Sequence, residues 1–277
     1  MQIKRFVPLF FGLLLLSNPL IASSYALCDE VLESADNLYE DIKSDFGYYF
    51  QKNNLLVLGG TLVGASVLAN TTLDQEIRNG WQGHVRGKHT RFLKHFCAIG
   101  IYNYKLTYLA STLIGGYMLD ESRPCSPFNA LYHWGYRSMR TLLLAGLQTE
   151  FFIWTVGAGR PIQNRPSRWY PFHSGNRSVH DAGVSGHTFN GAIPFITAGM
   201  MSEDPLYKYT FYAFSLLPGL SRINDNHHYT SQVIIGWVIS FLSANAINKT
   251  EHAHACPYQI HAFPIARGAR IIVHADF

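Results

Sequence analysis

Charge is what this sequence has least of. Only 14% of its 277 residues are Asp, Glu, Lys or Arg, roughly half the share of an ordinary soluble domain. The formal net charge of +4 is too small to build a nucleic-acid-binding surface. Internal repeats and low-complexity linkers are absent as well, so the chain reads as one main domain. Cysteine is sparse: Cys28, Cys97, Cys125 and Cys256 have no zinc-like spacing. In an exported chain they allow two disulfides in three pairings; Cys125 and Cys256, both in polar, loop-like surroundings, are the pair expected. Uninterrupted apolar runs of about 20 residues, the length of a membrane span, are scarce too. Lys105, Gln148, Glu150 and Pro218 interrupt the apolar segments.

What the chain does have is 48% apolar residues. Its start, MQIKRFVPLFFGLLLLSNPLIASSYA, places Lys4 and Arg5 before an apolar core and small residues ending at Ala26. That is the pattern of a secretory signal peptide over residues 1–26. Removing it deletes two cations and no acid, taking the net charge from +4 to +2. Residues 27–53 read as an N-terminal helical segment, with Leu32, Leu38, Tyr39 and Ile42 spaced for one face. Apolar segments at Leu55–Ala69, Cys97–Leu119, Thr141–Gly157, Thr188–Met201, Tyr209–Leu220 and Gln232–Ile247 predict a helical domain over 54–247. Residues 248–277 form a tail in which Ala269 to Phe277 reads as a short strand. The predicted fold class is all-α, a single helical bundle.

The segments are short for membrane spans, and three spans after a cleaved signal would leave Arg160 in the cytoplasm. A soluble or peripheral exported protein follows. The basic loop Arg78–Lys94 suits the cytoplasmic side after one span, which keeps an integral inner-membrane protein as the alternative.

Three polar clusters sit at helix junctions. Thr155-Val-Gly-Ala-Gly-Arg-Pro161 offers glycines that let backbone approach a ligand and Arg160, whose fork of donors fits phosphate. By itself Gly-Arg-Pro is equally a helix exit. Gly183-Val-Ser-Gly-His-Thr188 puts Ser185 and Gly186 at a helix N-terminus, a natural anion site, with His187 beside it. By itself it is equally an N-capping serine. Ser221-Arg-Ile-Asn-Asp-Asn-His-His-Tyr-Thr-Ser-Gln232 contributes Arg222, His228 and Gln232. Alone it reads as a surface turn, though a neutral imidazole can attack phosphorus.

Taken in order, arginine-proline, serine-glycine-histidine and serine-arginine with a following histidine resemble the type 2 phosphatidic acid phosphatase superfamily. That group contains membrane lipid phosphatases, soluble bacterial non-specific acid phosphatases and vanadium haloperoxidases. Thr72-Leu-Asp-Gln-Glu-Ile-Arg and Leu142–Thr149 also look like family sequence. The resemblance implies a helical phosphatase acting on a phosphate-containing small molecule or lipid, without metal or other cofactor. It implies that His228 is the nucleophile and His187 the acid, with Arg160, Arg222, Ser185 and Gly186 holding the phosphoryl oxygens. Vanadate-dependent peroxidation is the family's other chemistry.

Two positions depart from the family pattern. Ile153 stands where the family has a lysine, leaving Arg168, Arg140 and Lys105 as candidate replacements. Gln232 stands where the family has the aspartate that orients the nucleophilic histidine. Glutamine can accept a hydrogen bond through its oxygen but supplies no negative charge, and a flipped amide would select the wrong tautomer. The alternative to an active phosphatase is therefore a non-catalytic phosphate- or lipid-binding relative.

Overall fold

The computed structural model describes residues 24–100, 104–117, 127–172, 180–253, 258–265 and 268–275. Residues 1–23 of the expected signal peptide and the side chains of Cys28, Cys125 and Cys256 lie outside the described residues. Cys97 is a free thiol.

Nine α-helices occur among the described residues: α1 (Ser24–Tyr49), α2 (Lys52–Asn70), α3 (Leu73–Gly80), α4 (Leu93–Ile99), α5 (Tyr104–Tyr117), α6 (Pro127–Val156), α7 (Gly186–Met201), α8 (Pro205–Asn224) and α9 (Thr230–Ala253). The protein is the predicted all-α bundle. Helix α9 is its axis, packing against α1, α2, α6, α7 and α8. Its apolar residues are spread around the helix because every side meets a neighbour. Ile235, Ile239, Leu242, Ala246 and Ile247 join Leu144, Ala145, Val184, Phe189 and Ile193 in the core. After the bundle, β1 (Tyr258–Ile265) and β2 (Gly268–Ala275) form an antiparallel hairpin with Tyr258 opposite Ala275. The segment read as a strand lies largely within β2.

Two expected boundaries move, each for a physical reason. The run from Cys97 to Leu119 divides into α4 and α5, with Gly100 between them pressed against the α7 backbone. A Cβ at Gly100 would lie 2.4 Å from the His187 carbonyl oxygen. Helix α6 begins at Pro127 rather than near Thr141, because its first half is polar yet buried. Arg140, 4% exposed, grips Asp45 of α1 through two bonds of 2.8 and 2.7 Å. Its third nitrogen meets Asp41 at 3.1 Å and also Glu251 of α9. Tyr136 donates to Asp41 at 2.7 Å, and Arg137 pairs with Glu251 at 3.4 Å. This ionic cluster clips α1 and the end of α9 to α6, where apolar periodicity gives no signal.

The outer surface is unusually apolar on one helix. The lengths and compositions of α2 and α9 suffice to cross a membrane, but α9 is mostly buried in the bundle. By contrast α2 turns Leu55, Leu56, Val57, Val63 and Val67 outward, with Leu56 63% and Val63 66% exposed. Downstream lie the exposed cations Arg86, Lys88, Arg91 and Lys94.

Removing one partner of a buried ion pair strands the other, at about 3–5 kcal/mol. Arg140→Met is expected to lower unfolding free energy by about that much in denaturant titrations. Adding Asp45→Leu should recover part of the loss.

Candidate functional site

Arg222 in the last turn of α8 and His227 and His228 in the loop that follows are held from behind by α3. Asp74, fully buried, accepts the Ser231 N–H at 3.1 Å and the Ser231 hydroxyl, capping the first turn of α9. Tyr229 Oη lies 2.9 Å from Gln75 Oε1 and 2.8 Å from the Arg165 carbonyl. Arg78 Nε donates to Asn226 Oδ1 at 2.7 Å, and Gln82 Nε2 donates to the Ile223 carbonyl at 2.8 Å. Asn226, in the left-handed region at φ 59°, turns the chain so that the His227 N–H returns to the Arg222 carbonyl at 2.9 Å. The stretch that alone resembled a solvated turn is a braced, largely buried one. Sequence reading found the motif but missed its brace. The signal available was the density of acid and amide side chains from Asp74 to Gln82.

Gln232 joins all three clusters. Its Oε1 lies 2.8 Å from His228 Nδ1 and accepts the Tyr229 N–H at 3.2 Å. Its Nε2 donates to the Gly159 carbonyl at 2.9 Å. Its own carbonyl accepts the Ser185 N–H at 3.0 Å. The two backbone groups fix the amide orientation. A flip would set Nε2 against the Tyr229 N–H and Oε1 against the Gly159 oxygen, each unmet buried group costing about 1–3 kcal/mol. With Oε1 facing it, Nδ1 of His228 must carry the proton, which leaves Nε2 with its lone pair.

The first cluster is folded tightly around Gly157, where a φ of +54° strains any side chain and an added Cβ would lie 2.6 Å from the Tyr170 oxygen. Ala158 then lies beside Asp181 as one rung of a parallel bridge. The Ala158 N–H donates to the His180 carbonyl, and the Ala182 N–H donates to the Ala158 carbonyl, both at 3.2 Å. This register brings Arg160 to Asp181, Nε to Oδ1 and Nη2 to Oδ2, both at 3.2 Å. Asp181 was not anticipated, although it lies four residues before Ser185. Arg222 is 6% exposed. Its Nη1 lies 2.8 Å from Cys97 Sγ, and its Nε has no hydrogen-bond partner among the described residues.

Ser185 is fully buried and serves as N-cap of α7, its Oγ accepting the Thr188 N–H at 3.3 Å and the Thr188 hydroxyl at 2.8 Å. At this corner the part-exposed groups are Gly186 and His187, in the helix's first turn, where N–H groups have no intrahelical acceptor. A Cβ at Gly236 of α9 would lie 2.8 Å from the Ser185 oxygen, so glycine there is what lets α9 seat against this cap. The candidate replacement cations are not gathered here. Ile153 packs against the core, Arg168 is exposed, and the Lys105 side chain is outside the described residues. Arg140 sits 16 residues before the end of α6, about 24 Å along the axis, and is engaged by acids.

The titrations tie the groups together. Burial pushes His228 well below the ordinary imidazole value, and the Arg160 and Arg222 charges add to the fall while the Gln232 hydrogen bond opposes it. Burial, then Arg222, Arg160 and His227, bring His187 down to about 4. His227 is lowered by burial and by the same two arginines. Arg160, Arg222, His187, His227 and His228 thus share one electrostatic neighbourhood, in which both arginines oppose an added proton.

Residues 134–255 match the family model of the PAP2 superfamily. Over that span the chain is similar to the PAP2 superfamily. No curated protein and no solved structure matches the chain. The PAP2 span holds Arg160, Ser185, Gly186, His187, Arg222, His228 and Gln232, whereas the α3 brace lies ahead of it.

Gln232→Asp has two opposed consequences. A carboxylate beside Nδ1 should raise the His228 pKa, read by NMR titration of the ring. The shorter acceptor-only side chain leaves the Gly159 carbonyl unmet, so stability should fall by about 1–3 kcal/mol.

Proposed function

We propose that this PAP2-like protein is an exported phosphatase that hydrolyses phosphomonoesters or lipid phosphates through a phosphohistidine intermediate. The observation that carries this reading is the buried His228 ring, with Nδ1 taken by Gln232 and Nε2 left as a nucleophile, beside two arginines. Nε2 attacks phosphorus, and the P–O ester bond breaks as His187 protonates the departing oxygen. His187 then takes a proton from water, whose oxygen displaces Nε2 from phosphorus and returns His228 neutral. Arg160, Arg222 and the first-turn N–H groups of α7 stabilise charge on the equatorial oxygens. Gln232 holds the tautomer throughout but does not neutralise the phosphoimidazolium, and no lysine stands at Ile153. Turnover below that of a site with both charges follows. In serine proteases, exchanging the orienting aspartate for its amide costs about 10⁴ in rate, there by selecting the wrong tautomer; here the oxygen faces the ring, so the loss is smaller.

The outward apolar face of α2 and the exposed cations Arg86, Lys88, Arg91 and Lys94 that follow it in sequence support a lipid phosphate at an anionic bilayer surface, and hence a membrane-associated periplasmic protein. Exposed apolar side chains fit acyl chains, and exposed positive charge fits headgroups.

The deciding measurement is phosphate release by purified protein from an aryl phosphate, a nucleotide and phosphatidate in mixed micelles. His228→Ala should reduce release by at least about 10³-fold. Failure to release phosphate from any of the three overturns the reading, and binding without release identifies a non-catalytic relative. The pH dependence is a separate check. In the free enzyme His187 holds a proton only below about 4, while a phosphomonoester loses its second proton near about 6. The reaction needs one proton shared between them, so kcat/KM should peak between those values. Above pH ~6 it should fall about tenfold per unit.

A further inference from the structure

We propose that Asp181 is a positioning residue for the phosphate-binding arginine, holding Arg160 side-on so that the end of its guanidinium faces the phosphoryl group. The inference deepens the phosphatase reading and rests on it. A guanidinium has five N–H donors. Asp181 takes one on Nε and one on Nη2, which together form the side-on edge. Three remain, two on Nη1 and one on Nη2, and one from each nitrogen forms the end-on fork that grips two oxygens of a phosphoryl group. Carboxylate and substrate thus use different edges of one side chain, so phosphate binding does not require the pair to separate.

The surroundings of the pair favour orientation over stability as its role. The side chains of Arg160 and Asp181 are 24% and 38% exposed, and ion pairs that open to solvent contribute only about 0–1 kcal/mol. A free arginine, however, carries about 2 kcal/mol of rotamer entropy that gripping a ligand would have to remove. A fixed carboxylate removes it beforehand. Asp181 is fixed: it forms a bridge rung with Ala158, two residues before Arg160, and Gly157 closes the turn behind it. Arg222 obtains the same service from burial and from Cys97, whereas Arg160, nearer solvent, has Asp181. With Ile153 in the place of a lysine, aligning both arginines matters more.

The test compares wild type with Asp181→Ala, Asp181→Asn and Arg160→Ala. It reads kcat, KM, binding of inorganic phosphate and of orthovanadate as a phosphoryl analogue, and thermal unfolding. Asp181→Ala is expected to lower kcat/KM by about 10- to 100-fold, mostly through kcat, and to weaken vanadate by a similar factor with Tm unmoved. Asp181→Asn keeps one acceptor and should recover part of both. Tighter phosphate and vanadate binding in Asp181→Ala would make Asp181 a competitor for the anion seat and overturn the proposal. Unchanged kinetics and binding with a lowered Tm would reduce it to a structural contact and likewise overturn it. Should wild type not turn over, the vanadate and phosphate affinities decide alone. If Arg160→Ala binds and acts like wild type, it is the phosphatase reading of this site that fails. Wild type that neither turns over nor binds either anion overturns both.

Discussion

One side-chain amide holds the site together. Gln232 touches the histidine loop with its oxygen, the Gly-Arg-Pro turn with its nitrogen and the Ser-Gly-His cap with its backbone carbonyl. The three segments come from different helix junctions, and Gln232 bonds to all of them. A carboxylate could accept from His228 and Tyr229 but could not donate to Gly159, so the amide is suited to a bridging task that an acid performs only by half. The residue that looked from sequence like a defect in a charge pair is, in the fold, a bridge whose side-chain oxygen, side-chain nitrogen and backbone carbonyl are all engaged. Satisfied networks of this kind gain their rigidity from the cost of leaving any member unmet.

Neutrality at that centre shapes the electrostatics. With Gln232 uncharged and Ile153 turned into the core, the fixed charges that act on His228 are those of Arg160 and Arg222. Two arginines acting on a buried imidazole drive its proton affinity down. A less basic imidazole is a weaker nucleophile and a better leaving group. In the proposed reaction that slows formation of the phosphoenzyme relative to its breakdown, the reverse of what a carboxylate partner would favour.

The helices were legible because their cores are apolar over long runs, and α9 most of all, since Ile235, Ile239 and Ile247 are completely enclosed. The first half of α6 was not, because Ser138, His133 and Arg140 are buried polar residues that interrupt the apolar pattern, Arg140 being held there by Asp45, Asp41 and Glu251. Arg160, His187, Arg222 and His228 were legible as an ordered set of motifs, and the fold gives them one electrostatic neighbourhood. Ser185, expected from sequence to hold phosphate, also caps α7, its Oγ accepting the Thr188 hydroxyl. Asp181 and Cys97 escaped notice because each matters only through an arginine brought to it by the fold, Cys97 from 125 positions away.

The brace behind the histidine loop spans sequence separations from 141 to 157 residues. Contacts so distant along the chain form late, since closing long loops costs entropy before any contact rewards it. During synthesis α3 emerges early and waits for the α8–α9 loop, which reaches it only when most of the chain has been made. The order of assembly therefore resembles a clasp: the catch is laid down first, the hook arrives last, and an unfinished chain has no reactive histidine held in place.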